Sequence, residues 1–335
     1  MKRLRHNHNY FANKDKFSDL PDCILLPILS FLNAKPVVQT CILSKRWKNL
    51  WKSLPVLTLG FSTDKPVKNS NKFMSKILSL RDASESLHTL DFHRYAIRTL
   101  CGVKWIIKYA VSHNVQHLDI HLKCRLQQFP PCLFSSLTSL SLRSFTSLRS
   151  FTFLVRDDGC VEPFSALNKL NSLIINICEV VDAQNLCISS ATLVNLTIVT
   201  SGRAHTAYFG FELSAPSLST FSFSGVPLQK LSRSNDNLSA VIHVSIDVDY
   251  WLYKAATPLV LLNWLVELAN IKSLTVTSTT LKVLSRVPDL LKFEFSSLCN
   301  MKSLRVKKKY SSVLPDGLVE FLLQNSPSAE VDIVD

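Results

Sequence analysis

The chain has 335 residues, of which 47% are hydrophobic and 19% are charged, and its formal net charge is +13. A chain of this length and composition can bury a sizeable core, which excludes the disordered class. Its longest apolar stretch, around residues 259–269, is interrupted by Asn263 and Glu267 and is too short to span a bilayer, and its basic N-terminus lacks the apolar segment of a signal peptide. We expect no membrane association and a location in the nucleus, the cytoplasm or both.

The first elements in chain order are a basic tail over residues 1–15 and a compact helical module over residues 16–57. A first helix opens at Leu20-Pro21, because the fixed φ and missing donor of proline do little harm in a first turn. Apolar residues follow at helical spacing: Ile24, Leu25, Ile28, Leu29 and Leu32. A second short helix is predicted from Pro36 to Leu43, and a third follows Ser44 as its N-cap.

The apolar surface of this module is wider than its own core requires. Cys23, Leu26 and Phe31 extend it around the first helix. Three helices in so short a segment are also near the lower size limit for independent stability. The pattern therefore predicts that another protein covers part of the module.

Pro27 falls in the middle of the first helix. An interior proline removes one backbone hydrogen bond, clashes with the carbonyl four residues back and costs about 3 kcal/mol. Two outcomes are open: the helix restarts near Leu26 with Pro27 in its first turn, or it kinks at Pro27 and is held by packing against a partner. Pro27 is thus expected to weaken partner binding.

A linker is predicted over residues 58–84, and a leucine pattern repeats from residue 85 to the C-terminus. The unit is L-x-x-L-x-L, and its intervals exceed in places the roughly 20–29 residues of regular leucine-rich repeats. The matching triplets are Leu87-Leu90-Phe92, Val115-Leu118-Ile120, Leu137-Leu140-Leu142, Leu170-Leu173-Ile175, Leu193-Leu196-Ile198, Leu218-Phe221-Phe223, Val241-Val244-Ile246, Ile271-Leu274-Val276 and Met301-Leu304-Val306. Each unit predicts one short strand whose last two apolar residues enter a shared core.

Connecting helices or loops, including residues 103–111, 259–269 and 317–324, are predicted to cover the convex side of the stacked strands. The closing segment, residues 318–334, has the pattern of a helix followed by a strand and is predicted to cap the stack. The expected fold class is α/β: an N-terminal three-helix module followed by an irregular solenoid, with parallel strands on the concave face.

The helical module resembles an F-box in its plant form. The resemblance is carried by Leu20-Pro21-Asp22, Ile28 to Leu32, Val38 to Cys41, Leu43-Ser44-Lys45-Arg46-Trp47, Leu50-Trp51 and Leu54-Pro55. With the repeats included, nearly the whole chain is similar to the plant F-box and leucine-rich-repeat family. That resemblance implies a substrate-recognition subunit of an SCF-type ubiquitin ligase. Its F-box would bind a Skp-type adaptor, and through it a cullin, while its repeats capture an unknown target protein.

Two sets of residues are predicted to make these contacts. The adaptor-binding set is Leu20, Pro21, Leu25, Ile28, Leu29, Leu32, Val38, Leu43, Trp47, Leu50 and Trp51. The target-binding set lies between the core leucines, because alternate side chains of a strand project to opposite faces. It comprises His117, Asp119, His121, Arg143, Asn176, Asn195, His243, Asp247, Arg305 and Lys307.

Two histidine patterns have alternative interpretations. Histidines occur at every fourth residue, at His113, His117 and His121. On a helix this spacing would suit a metal ion, but here the histidines surround a predicted strand. A polar or pH-sensitive contact patch and an ordinary solvated strand face are the alternatives. His243, Ser245 and Asp247 point the same way from one strand and cannot build a catalytic triad. We expect no metal, no cofactor and no enzymatic activity.

The basic charge favours acidic protein partners. Basic residues concentrate at the N-terminus, in the third F-box helix and over residues 302–309, where they could attract nucleic acid or acidic proteins. The sequence shows neither a nucleic-acid-binding fold nor stacking aromatics between these charges, which disfavours nucleic acid. The alternative to a ligase subunit is a non-degradative scaffold or inhibitor whose F-box is weakened or repurposed.

Overall fold

The computed structural model describes residues 17, 19–61, 67–82, 84–94, 103–122, 136–144, 152–153, 160–176, 179–180, 185–200, 210–227, 231, 238–249, 255–268, 270–290, 298–309 and 314–334. The predicted basic tail, residues 1–15, lies outside them. None of the helices in this described part has the length and apolar character needed to cross a bilayer.

Short helices build the N-terminal module. They are α1 (Asp22–Ser30), α2 (Ala34–Gln39) and α3 (Trp47–Leu50), with 3-10 turns at Thr40–Ile42 and Trp51–Ser53. The predicted second helix is correct in place but begins earlier and ends in a 3-10 turn. Ser44 does not cap α3, because the cap position falls on Arg46, whose side chain is held elsewhere.

The described strands run along the chain as follows: β1 (Val56–Phe61), β2 (Thr89–Arg94), β3 (His117–Leu122), β4 (Ser139–Ser144), β5 (Thr152–Phe153), β6 (Cys160–Val161), β7 (Ser172–Asn176), β8 (Glu179–Val180), β9 (Asn185–Ser189), β10 (Asn195–Val199), β11 (Gly210–Ser214), β12 (Thr220–Gly225), β13 (His243–Val248), β14 (Ser273–Thr277), β15 (Ser303–Lys307) and β16 (Glu330–Val334). One 11-stranded sheet has the order β1-β2-β3-β4-β7-β10-β12-β13-β14-β15-β16. Every neighbouring pair in it is parallel. Smaller parallel sheets join β11-β9-β6 and β5-β8.

Each predicted leucine triplet produces a strand of the large sheet, which confirms the solenoid. The register aligns the core positions, so that Leu90, Leu118, Leu140 and Leu173 are direct neighbours. All four are fully buried. The irregular spacing therefore resides in the connections between strands and leaves the core ladder continuous.

The connections differ along the solenoid. Helices occupy its two ends: α4 (Val67–Leu80), α5 (Val103–Ser112), α6 (Thr257–Glu267), α7 (Ser278–Leu284) and α8 (Leu318–Leu323). The segments predicted as connecting helices or loops, residues 103–111, 259–269 and 317–324, overlap α5, α6 and α8. In the middle, β9 and β11 contribute Leu186, Ile188 and Leu213 to the same hydrophobic core.

The segment predicted as a linker, residues 58–84, holds most of β1 and all of α4. The sheet therefore begins one strand earlier than predicted. Leu54, Leu57 and Leu59 carry the L-x-x-L-x-L spacing and are buried, so the signal was present in the sequence. The physical reason is that β1 pairs with β2 along its whole length and shares the core of the helical module.

Candidate functional site

An ion pair joins the two ends of the N-terminal motif. Arg46 donates from Nε to Oδ1 of Asp22 at 2.9 Å, and its Nη2 donates to the carbonyl of Leu20 at 2.5 Å. These contacts bring Leu20-Pro21-Asp22 against Lys45-Arg46-Trp47, although more than twenty residues separate them in sequence. Because both side chains are partly solvated, the contact fixes geometry and adds little stability.

Helix α1 continues through Pro27 without restarting. Of the two outcomes predicted for this proline, the structure shows one helix from Asp22 to Ser30, with no separate turn before Leu26. Pro27 supplies no N–H to the carbonyl of Cys23, and Ser30 Oγ donates to the carbonyl of Leu26 at 2.8 Å. Leu25 and Leu29 anchor the helix in the core on the opposite face, so α1 is held by the chain itself.

An apolar patch remains exposed on the helical module, and we call it the docking patch. Phe31 is 90% exposed and Ile42 is 84% exposed. The patch consists of Phe17, Ile24, Ile28, Phe31, Leu32, Ile42 and Leu43. Several large apolar side chains exposed on so small a helical module are typical of a protein-interaction site.

The predicted adaptor-binding residues divide by burial. Pro21, Ile28, Leu32 and Leu43 are exposed, and Leu20 and Val38 are half-buried. The remaining five are buried in the chain's own core: Leu25, Leu29, Trp47, Leu50 and Trp51. The prediction omitted Phe17, Ile24, Phe31 and Ile42, because helical spacing identifies apolar residues but does not say which of them the chain itself covers.

The junction between the helical module and the sheet is direct. Asn33 forms an isolated parallel bridge with Thr58, and its Oδ1 accepts a hydrogen bond from the backbone N–H of Gly60 at 3.1 Å. A Cβ at Gly60 would overlap the side-chain amide of Asn33, so a larger residue at position 60 would displace that amide from its present position. The module thus covers the β1 edge of the large sheet.

The predicted target-binding residues lie in register on the face opposite the core. Residues at the same register position of neighbouring strands form rows across the sheet. One row contains His117, Asn195 and His243, and another contains His121, Arg143 and Asn176. All ten residues of the set are exposed or half-buried. Between them, the central strands β7, β10 and β12 present mostly small hydroxyl side chains, so among the described strand residues charge lies towards the two ends of the face.

The charged cluster on β2, β3 and β4 also contains Asp91 and His93, which lie on the same face of the sheet but outside the target-binding set named above. Thr58 Oγ1 donates to Asp91 Oδ2 at 3.2 Å, Arg143 Nη2 lies 3.8 Å from Asp119 Oδ2, and the rings of His93 and His121 are 5.5 Å apart. Burial, and then the neighbouring Asp119, raise the pKa of Asp91. Burial, with smaller effects of His93 and Arg143, lowers the pKa of His121 to about 4, so this imidazole is neutral at physiological pH.

The second charged cluster joins strands at the other end of the face. Asp247 accepts hydrogen bonds from Ser224 Oγ at 3.2 Å, Thr277 Oγ1 at 3.1 Å and Lys309 Nζ at 2.5 Å. Arg305 Nε donates to Asp332 Oδ2 at 2.8 Å. Lys309 follows β15 and was not in the predicted set. Its contact with Asp247 on β13 crosses β14 and so links three repeats.

The metal interpretation of the histidine spacing finds no geometric support. His113 follows the end of α5 and stacks on Tyr109 with a ring separation of 3.8 Å, whereas His117 and His121 project from β3. Within the described ranges, no group of three or more His, Cys, Asp or Glu side chains could hold a metal ion.

Comparison with known proteins matches both parts of this architecture. The F-box domain family matches residues 17–59. F-box/LRR-repeat protein At3g26922 of Arabidopsis thaliana is 30% identical over 247 residues, which cover 67% of this chain and 79% of the relative. F-box/LRR-repeat protein 25 of the same plant is 31% identical over 191 residues, 50% of this chain and 69% of the relative. The putative F-box/LRR-repeat protein At3g18150 is 26% identical over 355 aligned positions, 96% of this chain and 73% of the relative.

A helical F-box fused to a parallel leucine-rich solenoid defines a substrate-adaptor class of protein. This chain belongs to the F-box/LRR-repeat family, as its similarity to the Arabidopsis proteins shows. Its match extends over less than half the length of several other relatives, among them one whose name also includes an FBD domain.

Proposed function

We propose that the chain is the substrate-recognition subunit of an SCF-type ubiquitin ligase. Its F-box binds a Skp-type adaptor, and through it a cullin, while the concave face of the solenoid captures a target protein. The observation that carries this proposal is the docking patch, because its seven apolar side chains lie on the F-box and are left uncovered by the chain's own core.

The energetics of the patch favour a protein partner. Burying one large apolar side chain contributes about 1.5–3 kcal/mol relative to leaving it exposed. Phe31 and Ile42 therefore act as the anchors, since they have most surface to lose. The five buried members of the predicted set contribute by fixing the helices that present these anchors.

The mechanism is proximity. The F-box and the solenoid share one continuous core, so a target on the concave face is held at a fixed position relative to the adaptor. A fixed position raises the effective concentration of the target's lysines near the conjugating enzyme. The chemistry of ubiquitin transfer then belongs to other subunits.

The test is a quantitative pull-down in which the wild-type chain and the Phe31→Glu variant are compared for binding to a purified Skp-type adaptor. Because Phe31 is 90% exposed, the substitution leaves the core intact, and we expect at least a tenfold loss of affinity, about 1.4 kcal/mol. The matched control is Leu259→Glu, which places the same charge at a 52% exposed leucine on α6 and should bind normally. Equal binding by wild type and Phe31→Glu would remove the docking patch as the adaptor site.

A further inference from the structure

Arg94 occupies a position that belongs to the hydrophobic core. It is the last residue of β2, and its direct neighbours in the sheet are Phe61 and Leu122. It follows Leu90 and Phe92 on the core-facing side of the strand and is 1% exposed. A guanidinium in this place must find partners inside the protein, because water does not reach it.

Only part of this guanidinium has a partner among the described residues. Nη1 donates to Oδ1 of Asn71 at 2.8 Å. Nε and Nη2 are buried and make no hydrogen bond within the described chain. Burial lowers the pKa of Arg94. A buried charge whose donors are unsatisfied is strongly destabilising, so an arrangement of this kind calls for an anion.

The unsatisfied atoms are those that recognise oxyanions. The N–H groups of Nε and Nη2 lie side by side in one plane and form the fork that binds two oxygens of a phosphate or carboxylate. Asn71 takes the other side of the guanidinium and holds the fork in place. The edge of the guanidinium without a hydrogen-bond partner among the described residues is therefore the one that can bind two oxygens at once.

Helix α4 adds positive potential at the same place. It follows β1 and runs antiparallel to the strands, so its N-terminus lies at the edge of the sheet where Arg94 ends β2. Asn71 is the fifth residue of α4, so its contact places the guanidinium within about two turns of the helix N-terminus. Helix α5 begins at this same edge, and the first turns of α4 and α5 contain no acidic residue. No acidic side chain within these first turns offsets the positive ends of the two helix dipoles.

We propose that Arg94, with Asn71 and the N-terminal end of α4, forms a binding site for a small phosphate-type anion. The site lies on the core side of β2, away from both the docking patch and the concave face, and it is independent of the ligase function. The anion accepts hydrogen bonds from Nε and Nη2 of Arg94 and so stabilises the repeats next to the F-box. Free phosphate and the phosphate group of a metabolite share this chemistry.

The experiment is thermal unfolding of the purified full chain against inorganic phosphate and against glycerol 2-phosphate, with sodium chloride at matched ionic strength. For the wild type we expect a saturable rise in the unfolding temperature of several degrees, because a ligand that binds only the folded state stabilises it. The more effective of the two compounds identifies the source of the phosphate group.

Variants separate the site from general charge effects. Arg94→Met should lose the response to phosphate and be at least as stable as the wild type in phosphate-free buffer, because an apolar side chain suits this core position. Arg94→Lys keeps the charge but lacks the fork and should respond weakly. The control Arg286→Met removes an equal charge from an exposed position and should respond like the wild type.

Three results would overturn the proposal. The first is a wild type that responds no more to phosphate than to sodium chloride. The second is an equal response of Arg94→Met, which would place phosphate on surface lysines. The third is a wild type without response together with a strongly destabilised Arg94→Met, which would mean that a carboxylate of the chain itself closes the fork.

Discussion

His121 shows how a single residue on the concave face can link stability to pH. Its pKa falls from 6.5 to about 4 in the folded chain, chiefly through burial. An unfolded chain therefore binds a proton more readily between these values, and stability is lost as the pH falls from 6.5 towards 4. Since the ring is only partly buried and solvent screens it, we expect this loss to be about 1 kcal/mol.

The measurement is urea unfolding of wild type and His121→Gln at pH 7 and at pH 5. The variant should lose less stability than the wild type between these two values. The raised pKa of Asp91 acts with the opposite sign at acid pH, but it is common to both proteins and largely cancels in the comparison. His243→Gln, at an exposed position in the same face, serves as control and should behave like the wild type. An unchanged pH dependence in His121→Gln would contradict the assigned cause.

At the scale of one element, α1 tolerates an interior proline because the core holds it on the other face. Pro27 is exposed, so replacing it removes no packing, and Pro27→Glu restores the missing N–H for the carbonyl of Cys23. We expect the free energy of unfolding to rise by about 1–3 kcal/mol, within the known cost of an interior proline. Chemical denaturation followed by tryptophan fluorescence measures it, because Trp47 and Trp51 report on the F-box.

The same variant separates the two interpretations of the F-box. If the wild type binds a Skp-type adaptor, Pro27→Glu should bind with equal or higher affinity, because the docking patch is already presented. If only Pro27→Glu binds, the natural F-box is weakened, and the scaffold alternative becomes the better description. Gln39→Glu, exposed at the end of α2, controls for the change in charge, since it also adds one negative charge.

The elements differ in how well the sequence predicts them. The repeat strands were predictable because a parallel ladder requires an apolar residue at fixed positions in each strand, as Leu118 and Ile120 show. Strand β1 was missed because the predicted boundary between the F-box and the linker falls between its leucines: Leu57 closes the F-box segment and Leu59 lies in the predicted linker. Arg94 was not predicted as a site, because the apolar triplet was followed only to Phe92; the same alternation, carried one step further along β2, places residue 94 on the core-facing side.

For the whole molecule, the important feature is that the F-box and the solenoid are not separated by a flexible connection. Trp47, Leu50 and Leu54 belong to the same core as Leu57 and Leu59 of β1. At the opposite end, β16 is the last strand of the described sheet and pairs with β15, and its Val331 and Ile333 are exposed. The solenoid is thus covered by the F-box at its first strand and open at its last described one.

A shared core makes the F-box and the first repeats one cooperative unit, and Trp51→Ala tests this. Trp51 is 5% exposed, and removing a buried tryptophan costs about 3–5 kcal/mol. In a solenoid, repeats are stabilised mainly by their neighbours, so hydrogen–deuterium exchange should speed up in α1, β1 and β2 together and less in β14 and β15. Leu322→Ala, 1% exposed in α8, should give the reverse gradient. If Trp51→Ala accelerates exchange in α1 and leaves β1 and β2 protected, then the F-box is an independent unit, and the rigid bridge between adaptor and target does not exist.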